Sequence, residues 1–330
     1  MDWFEELTGF KECEYAQTQQ RLVVRDGKLH SLVNGRSWAI GTLETPTLGE
    51  LRKRAMALAP TKGPLKVSAL ASDAKRLHAQ ARSQGALFQV ASQFNLLEMT
   101  HYSVTPEDGV ARYEYDPTQG PACAIAAGAA TIYRNYFAPV GGHIGQTSQH
   151  QINTLADLSN ALGERLVDMR NGYALCSAGQ LHQINQRLNS LDEAGRVALR
   201  DRLRVGLHWD VEITTAGEGR GQLLSQAFCS ALPLAYSPVR EGSWEPFARV
   251  VLEAAYEATL WAAVINAERG QSKDVYLTML GGGAFGNRSE WILQAIERAL
   301  DKVAEQDLSV ILVSYGHIPA AFHTLAERYA

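Results

Sequence analysis

Apolar and polar positions along the chain follow two periods, one of about two residues and one of about 3.6, and they exchange places in a regular order. Between residues 21 and 44, short apolar runs are broken by the turn dipeptides Asp26-Gly27 and Asn34-Gly35, the pattern of a small antiparallel hairpin or meander. Thr47 and Glu50 stand at capping-box spacing and predict a helix that ends before Pro60. Strands are expected at 65–70 and 86–90, with Ser72 capping a helix between them that stops at Gly85. Leu155, Leu158, Leu162 and Leu166 have helical spacing and predict a helix over 155–169. A strand at 173–176 and helical residues through about Leu203 follow. In the last third, Ser243 and Pro246 open a long apolar helix. After it come a strand at 275–280, a glycine-rich loop, a helix at 288–304 with a single apolar stripe, and a strand at 310–315. Strands alternating with helices predict an α/β fold whose parallel or mixed sheet is covered on both faces.

One segment alternates strictly. In residues 204–214, Leu207, Trp209, Val211 and Ile213 are expected on one face, and His208, Asp210, Glu212 and Thr214 on the other. A turn at 217–221 then leads into a second strand-like run at 223–233. Two readings stand open for the polar row: the solvated face of a sheet, or the wall of an active site. Same-face neighbours on a strand lie about 7 Å apart, so His208, Asp210 and Glu212 cannot share one metal ion without bending the strand. Asp210 and Glu212 at that separation suit glycosidic chemistry with a water between them.

Composition narrows the function. The chain has 330 residues, 46% hydrophobic and 20% charged, with 31 basic and 35 acidic side chains and a net charge of −4. It lacks the broad basic field that supplies nucleic-acid affinity, so any phosphate must be held locally by backbone amides and one or two cations. Cys13, Cys123, Cys176 and Cys229 form no C-x-x-C pair, which speaks against a zinc ribbon or a disulfide framework. Cys123 and Cys229 sit in apolar company without a base partner along the chain. The histidines besides His208 show no ligand spacing, and neither metal nor cofactor is expected. The acidic start Met1-Asp2-Trp3-Phe4-Glu5-Glu6 has no apolar core of a secretory signal, and no uninterrupted apolar run has membrane-spanning length. A cytoplasmic setting is expected, with export by a route that reads no N-terminal signal left open. No repeat, low-complexity tract or long linker interrupts the chain. It reads as a single elaborated domain over 1–330, with an extension at 1–62 and a core at 63–330.

Gly281-Gly282-Gly283-Ala284-Phe285-Gly286-Asn287 lies between a buried strand and an amphipathic helix, where ligands bind in open α/β sheets. Consecutive glycines permit close backbone approach, and Asn287 with Glu290 has N-cap spacing that would put helix-terminal amides beside the loop. No Lys-Ser or Lys-Thr follows, so it is not a Walker A loop. Its place at the last strand–helix junction does not fit a dinucleotide fingerprint. The competing reading is a turn that needs glycine for steric reasons alone.

Strand, Gly-x-Gly-Ala-Phe-Gly-Asn, helix and apolar strand resemble the C-terminal end of macrodomains, above all the poly(ADP-ribose) glycohydrolase-like branch. Upstream, the segment Phe88-Gln89-Val90-Ala91-Ser92-Gln93-Phe94-Asn95 is similar in place to the macrodomain strand that ends in an Asn-rich turn. The resemblance implies a three-layer α/β/α macrodomain-like mixed sheet, here with an N-terminal hairpin and helix elaboration. It implies a diphosphate on residues 281–287, Phe285 bordering the distal ribose, and Asn95, with Gln93 beside it, contacting that ribose. Gly120-Pro121-Ala122-Cys123 occupies the place of the family's catalytic glycine loop, but the consecutive glycines and the Glu-Glu pair of the glycohydrolases are missing. The pattern is more similar to a divergent group that includes bacterial effectors removing ADP-ribose from arginine. Water attack at C1″ of the distal ribose, with Asp210 preferred over Glu212 as the base, is the expected reaction. The expected partner is ADP-ribose or an ADP-ribosylated protein, with neither nucleic acid nor membrane. The alternative is a module that binds ADP-ribose without cleaving it.

Overall fold

In the computed structural model, which describes residues 1–329, seven strands make the main sheet. They are β1 (Thr42–Glu44), β2 (Lys66–Ala71), β3 (Leu87–Ala91), β4 (Gly206–Glu212), β5 (Leu223–Cys229), β6 (Asp274–Leu277) and β7 (Ser309–Ser314). Their order is β1-β4-β5-β3-β6-β7-β2. The contacts from β5 through β3, β6 and β7 to β2 are parallel, whereas β4 pairs antiparallel with β5 and β1. The central strand β3 is apolar on both faces: Leu87 packs into one core, Phe88 and Val90 into the other. A parallel strand covered on both sides requires that composition.

Helices sandwich the sheet. They include α1 (Leu48–Ala57), α2 (Ala74–His78), α3 (Gln119–Ala126), α4 (Gly128–Tyr136), α5 (Ala178–Asn189), α6 (Glu245–Glu268) and α7 (Ser289–Lys302). One face carries α1, α5, α6 and α7, and the other α2, α3 and α4. The expected three-layer α/β/α mixed sheet is therefore present. Helix α6 is long and apolar enough to cross a membrane, and 89% of its most apolar window is buried inside the fold. It lies between the sheet and its fellow helices, so an all-round apolar surface finds protein everywhere.

The N-terminal elaboration is a three-stranded antiparallel sheet of Leu22–Arg25, Lys28–Ser31 and Ser37–Ala39, with Asp26 (φ 52) and Gly27 (φ 70) in its first turn. Its core packs on α4 through Phe4, Leu29, Trp38, Ile132 and Tyr136. Residues 42–44, read from the sequence as part of the same meander, instead form the edge strand β1 of the main sheet. The capping box at Thr47 and Glu50 is formed.

Three expectations change. Asp73, not Ser72, caps α2, which is only five residues long. The helix expected over 155–169 is Ala156–Leu162, stopped by Gly163 (φ 148); Asp168–Arg170 then pairs with Tyr173–Leu175. In β4 the alternation breaks at a bulge between His208 and Val211, where Asp210 adopts φ 55. The extra residue reverses the faces. Leu207 and Trp209 enter the α6-side core, whereas Val211 and Ile213 enter the α3-side core.

Candidate active site

β3 and β6 are parallel neighbours, but the chain leaves them in opposite directions: α3 and α4 cover one face after β3, and α7 covers the other after β6. The crevice at the carboxyl ends of such a pair is where open α/β sheets bind ligands. A cavity of about 730 Å³, counting its open mouth, lies there. Its walls come from the end of β3 (Ala91, Ser92, Gln93), from Glu98–Thr100, from Asp116 and Thr118–Gly120, and from Thr278–Gly281 and Gly283–Phe285, with Tyr173 and Tyr236 completing the rim.

The glycine loop is shaped by two ties. Asn287 N–H donates to Gly281 O at 2.9 Å, and Asn287 Nδ2 donates to Leu232 O at 2.9 Å. Gly281 has φ 72, and a Cβ on it would overlap the Cβ of Ala231. The amides of Gly283, Ala284 and Phe285 have no acceptor among the described residues, and all three residues line the cavity. Successive unpaired amides at the approach to a helix are suited to anionic oxygens. Asn287 is not the cap of α7, however: the cap position is Arg288, without a side-chain bond. Buried at the base of the loop, Asn287 shapes the cradle and does not face the cavity.

Opposite the loop, the wall holds a carboxyl group that the sequence reading passed over. Glu98 is 5% exposed, and its Oε1 has no hydrogen-bond partner. Its Oε2 lies where a Cβ on Gly120 would be, so glycine at the start of α3 is what admits it. Burial pushes the Glu98 carboxyl well above the ordinary carboxylate range; nearby Asp116 adds to this and Arg134 opposes it. Glu98 and Asp116 are the acidic side chains that line the cavity, and no Lys or Arg does. Asp116 Oδ1 accepts from Thr118 N–H and Oγ1–H at 2.9 and 2.6 Å. The local signal for Glu98 was its isolation: histidine apart, it is the only ionisable acid or base between Arg82 and Tyr102.

No family model matches this chain, and no curated protein matches it. Solved structures do resemble it at a distance. Poly(ADP-ribose) glycohydrolase from Thermomonospora curvata aligns over 96% of this chain and 96% of its own, with 15% identity and a TM-score of 0.46. The same enzyme from Deinococcus radiodurans, in complex with ADP-ribose, covers 87% of this chain and 94% of its own, with 13% identity and a TM-score of 0.47. Likeness at this level assigns neither family nor activity.

The remaining candidates divide by where their side chains point. Gln93, Gly120, Gly281, Gly283, Ala284 and Phe285 line the cavity, with Phe285 set 5.5 Å from Tyr173 and 5.7 Å from Tyr236 between ring centroids. Gly282, Gly286 and Ala122 belong to the bounding loop and helix and contribute no wall. Asn95 does not face the cavity: fully buried, it donates to Gln151 Oε1 at 2.9 Å and accepts from Leu97 N–H at 3.1 Å. Both of its polar functions are taken within the fold, by Gln151 and Leu97. Cys123 is buried in the α3-side core, where its thiol is pushed up by desolvation and Gln119 Nε2 donates to Sγ.

Asp210 and Glu212 lie away from this cavity. Asp210 N–H bonds Ser225 Oγ, near the start of β5, whereas the cavity adjoins Ala91, which pairs with Cys229 at the strand's end. Four residues of strand, about 13 Å, separate them. Asp210 pairs with Arg269, and Glu212 Oε2 accepts from Ala39 N–H at 2.7 Å. The bulge turned both carboxylates to structural partners. Among the described residues no group of His, Cys, Asp and Glu is arranged to hold a metal ion.

Proposed function

We propose that this chain is a macrodomain-type hydrolase that removes ADP-ribose from a modified protein. The diphosphate rests on the amides of Gly283, Ala284 and Phe285, and the distal ribose extends toward Glu98 and Asp116. The observation that carries the reading is the meeting, in one cavity, of unpaired loop amides and a buried carboxyl with an unpartnered oxygen.

In this reading Glu98 replaces Asp210 and Glu212. Burial favours the protonated form of its carboxyl, which suits it to give a proton to the departing atom as the bond to C1″ breaks. Asp116, held by Thr118, takes the proton of the attacking water and stabilises positive charge developing on the ribose. A leaving arginine is favoured over an acidic leaving group, because the cavity presents carboxyl groups and no cation. Glu98→Gln is expected to keep ADP-ribose affinity in calorimetry while release of ADP-ribose from an ADP-ribosyl-arginine peptide falls by about 10²–10⁴-fold. Parallel loss of binding and turnover would remove Glu98 from its role. The second reading, a binding module, is favoured by the single glycine at the start of α3. ADP-ribose binding by the unaltered protein, with no release from arginine, acidic or polymeric linkages, would establish it.

A further inference from the structure

Arg134 poses a question that packing alone does not answer. It projects from α4 and is fully buried, and none of its hydrogen bonds goes to a carboxylate; Glu98, whose raised carboxyl its charge opposes, lies nearby without forming an ion pair with it. A buried cation without an ion-pair partner is costly unless its donors are placed to a purpose. Each of its three nitrogens has an acceptor. Nε donates to Leu96 O at 3.1 Å, Nη1 to His208 Nδ1 at 3.2 Å and Nη2 to Thr131 Oγ1 at 2.9 Å, while the guanidinium lies 3.9 Å from the Phe228 ring centre.

Leu96 is the unusual member of this set. Its φ is 65, a left-handed conformation that a leucine rarely adopts. Its side chain fills the space over Gly206, where a Cβ would collide with it. Two residues later comes Glu98. The turn between them is held from within, Leu97 N–H on Asn95 Oδ1 and Met99 N–H on Gln93 Oε1 at 2.6 Å. It is held from outside by Arg134 and by Gln146, whose Nε2 donates both to Asn95 O and to Arg134 O at 3.0 Å. Arg134 does not line the cavity, so it has no contact with a ligand there.

We infer that Arg134 is a positioning residue for Glu98: by holding Leu96 O it keeps the 95–98 turn in its left-handed form and thereby sets where the carboxyl projects. This rests on the hydrolase reading for its effect on turnover, but the clamp itself can be measured without turnover. Hydrogen exchange of the Leu97, Glu98 and Met99 amides reports the turn directly. Arg134→Met is expected to speed that exchange and to lower kcat by about 10²-fold, the order produced by a 1 Å misplacement, with Kd for ADP-ribose little changed. Adding Leu96→Gly, which makes the left-handed form cost-free, is expected to restore both readouts in part. Leu96→Ala, which removes the same side chain without that relief, is not. Where methionine prevents folding, Arg134→Gln takes its place. The inference is overturned if exchange and kcat are unmoved by loss of the guanidinium, or if the glycine and alanine variants behave alike. If the unaltered protein releases no ADP-ribose, the hydrolase reading fails alone, and the exchange rates still decide whether Arg134 clamps the turn.

Discussion

Gly281→Ala tests the cradle most directly. Gly281 has φ 72, where an alanine costs about 1–2 kcal/mol, and its new methyl would overlap the Ala231 Cβ. Overpacking of that kind adds about 1–3 kcal/mol, so the substitution is expected to cost about 2–5 kcal/mol together. Two glycines along, Gly283 has no neighbouring atom within 4 Å of an added Cβ and no positive φ. Gly283→Ala is therefore expected to stay within about 0.5 kcal/mol of the parent in stability. The pair separates backbone strain from a general intolerance of the loop. Urea unfolding supplies the stabilities and titration calorimetry with ADP-ribose the affinities. If the strained loop relaxes by moving and the protein stays folded, the loss transfers to binding, and 2 kcal/mol of it weakens Kd by roughly 30-fold. A Gly281→Ala protein that is as stable as the parent and binds equally well would refute both the conformational requirement and the cradle built on it.

Three further outcomes follow from the geometry. Asp210→Ala is expected to leave ADP-ribose affinity and turnover within about twofold, and stability within about 1 kcal/mol, since a half-exposed pair with Arg269 contributes little; a large loss of turnover in steady-state assays would return Asp210 to the active site. Asn95→Ala is expected to cost about 2–3 kcal/mol in urea unfolding, because it leaves the buried Leu97 amide and Gln151 carbonyl oxygen without a partner; unchanged stability would contradict its role in the turn. His78 donates through Nδ1 to Ala74 O and accepts from Gln226 Nε2, so a second ring proton would meet a donor, and burial lowers its pKa to about 4. Its contribution to stability is then complete above its unfolded value of about 6.5 and is lost as pH falls from there to about 4. Unfolding curves across that interval should flatten in His78→Met, and an unchanged slope would show that other groups govern the acid limb.

How much of this was legible depended on how local each signal was. The run from α6 through β6, the glycine loop and α7 to β7 was readable because a long apolar stripe, a glycine cluster and a short buried strand each declare themselves within one window. The capping box at Thr47 was readable for the same reason. Asp210 misled because period-two alternation assumes an unbroken strand, and nothing in Trp209-Asp210-Val211 announces a bulge held by Ser225 and Arg269 from other elements. Glu98 was passed over because its burial is made by distant residues: Tyr113 binds its amide, Gly120 makes room for its oxygen, and Arg134 holds the turn before it. A sequence shows that a glutamate stands alone among apolar neighbours; it does not show that three later segments will close around it.

The edge strand β1 also bears on how the chain is made. Its partner is β4, and the indole N–H of Trp209 closes on Glu44 at 2.7 Å across a sequence separation of 165 residues. During synthesis at about 5–20 residues per second, the first strand of the main sheet would wait roughly 10–30 s for its neighbour to emerge. Over that interval the small N-terminal sheet can already pack on α4, whereas the amphipathic helix α1 is on its own, its apolar face unmet until the long helix α6 arrives. The β1–α1 segment is thus made well before the elements it docks on, and nascent chains arrested before residue 212 should be the ones that chaperones retain.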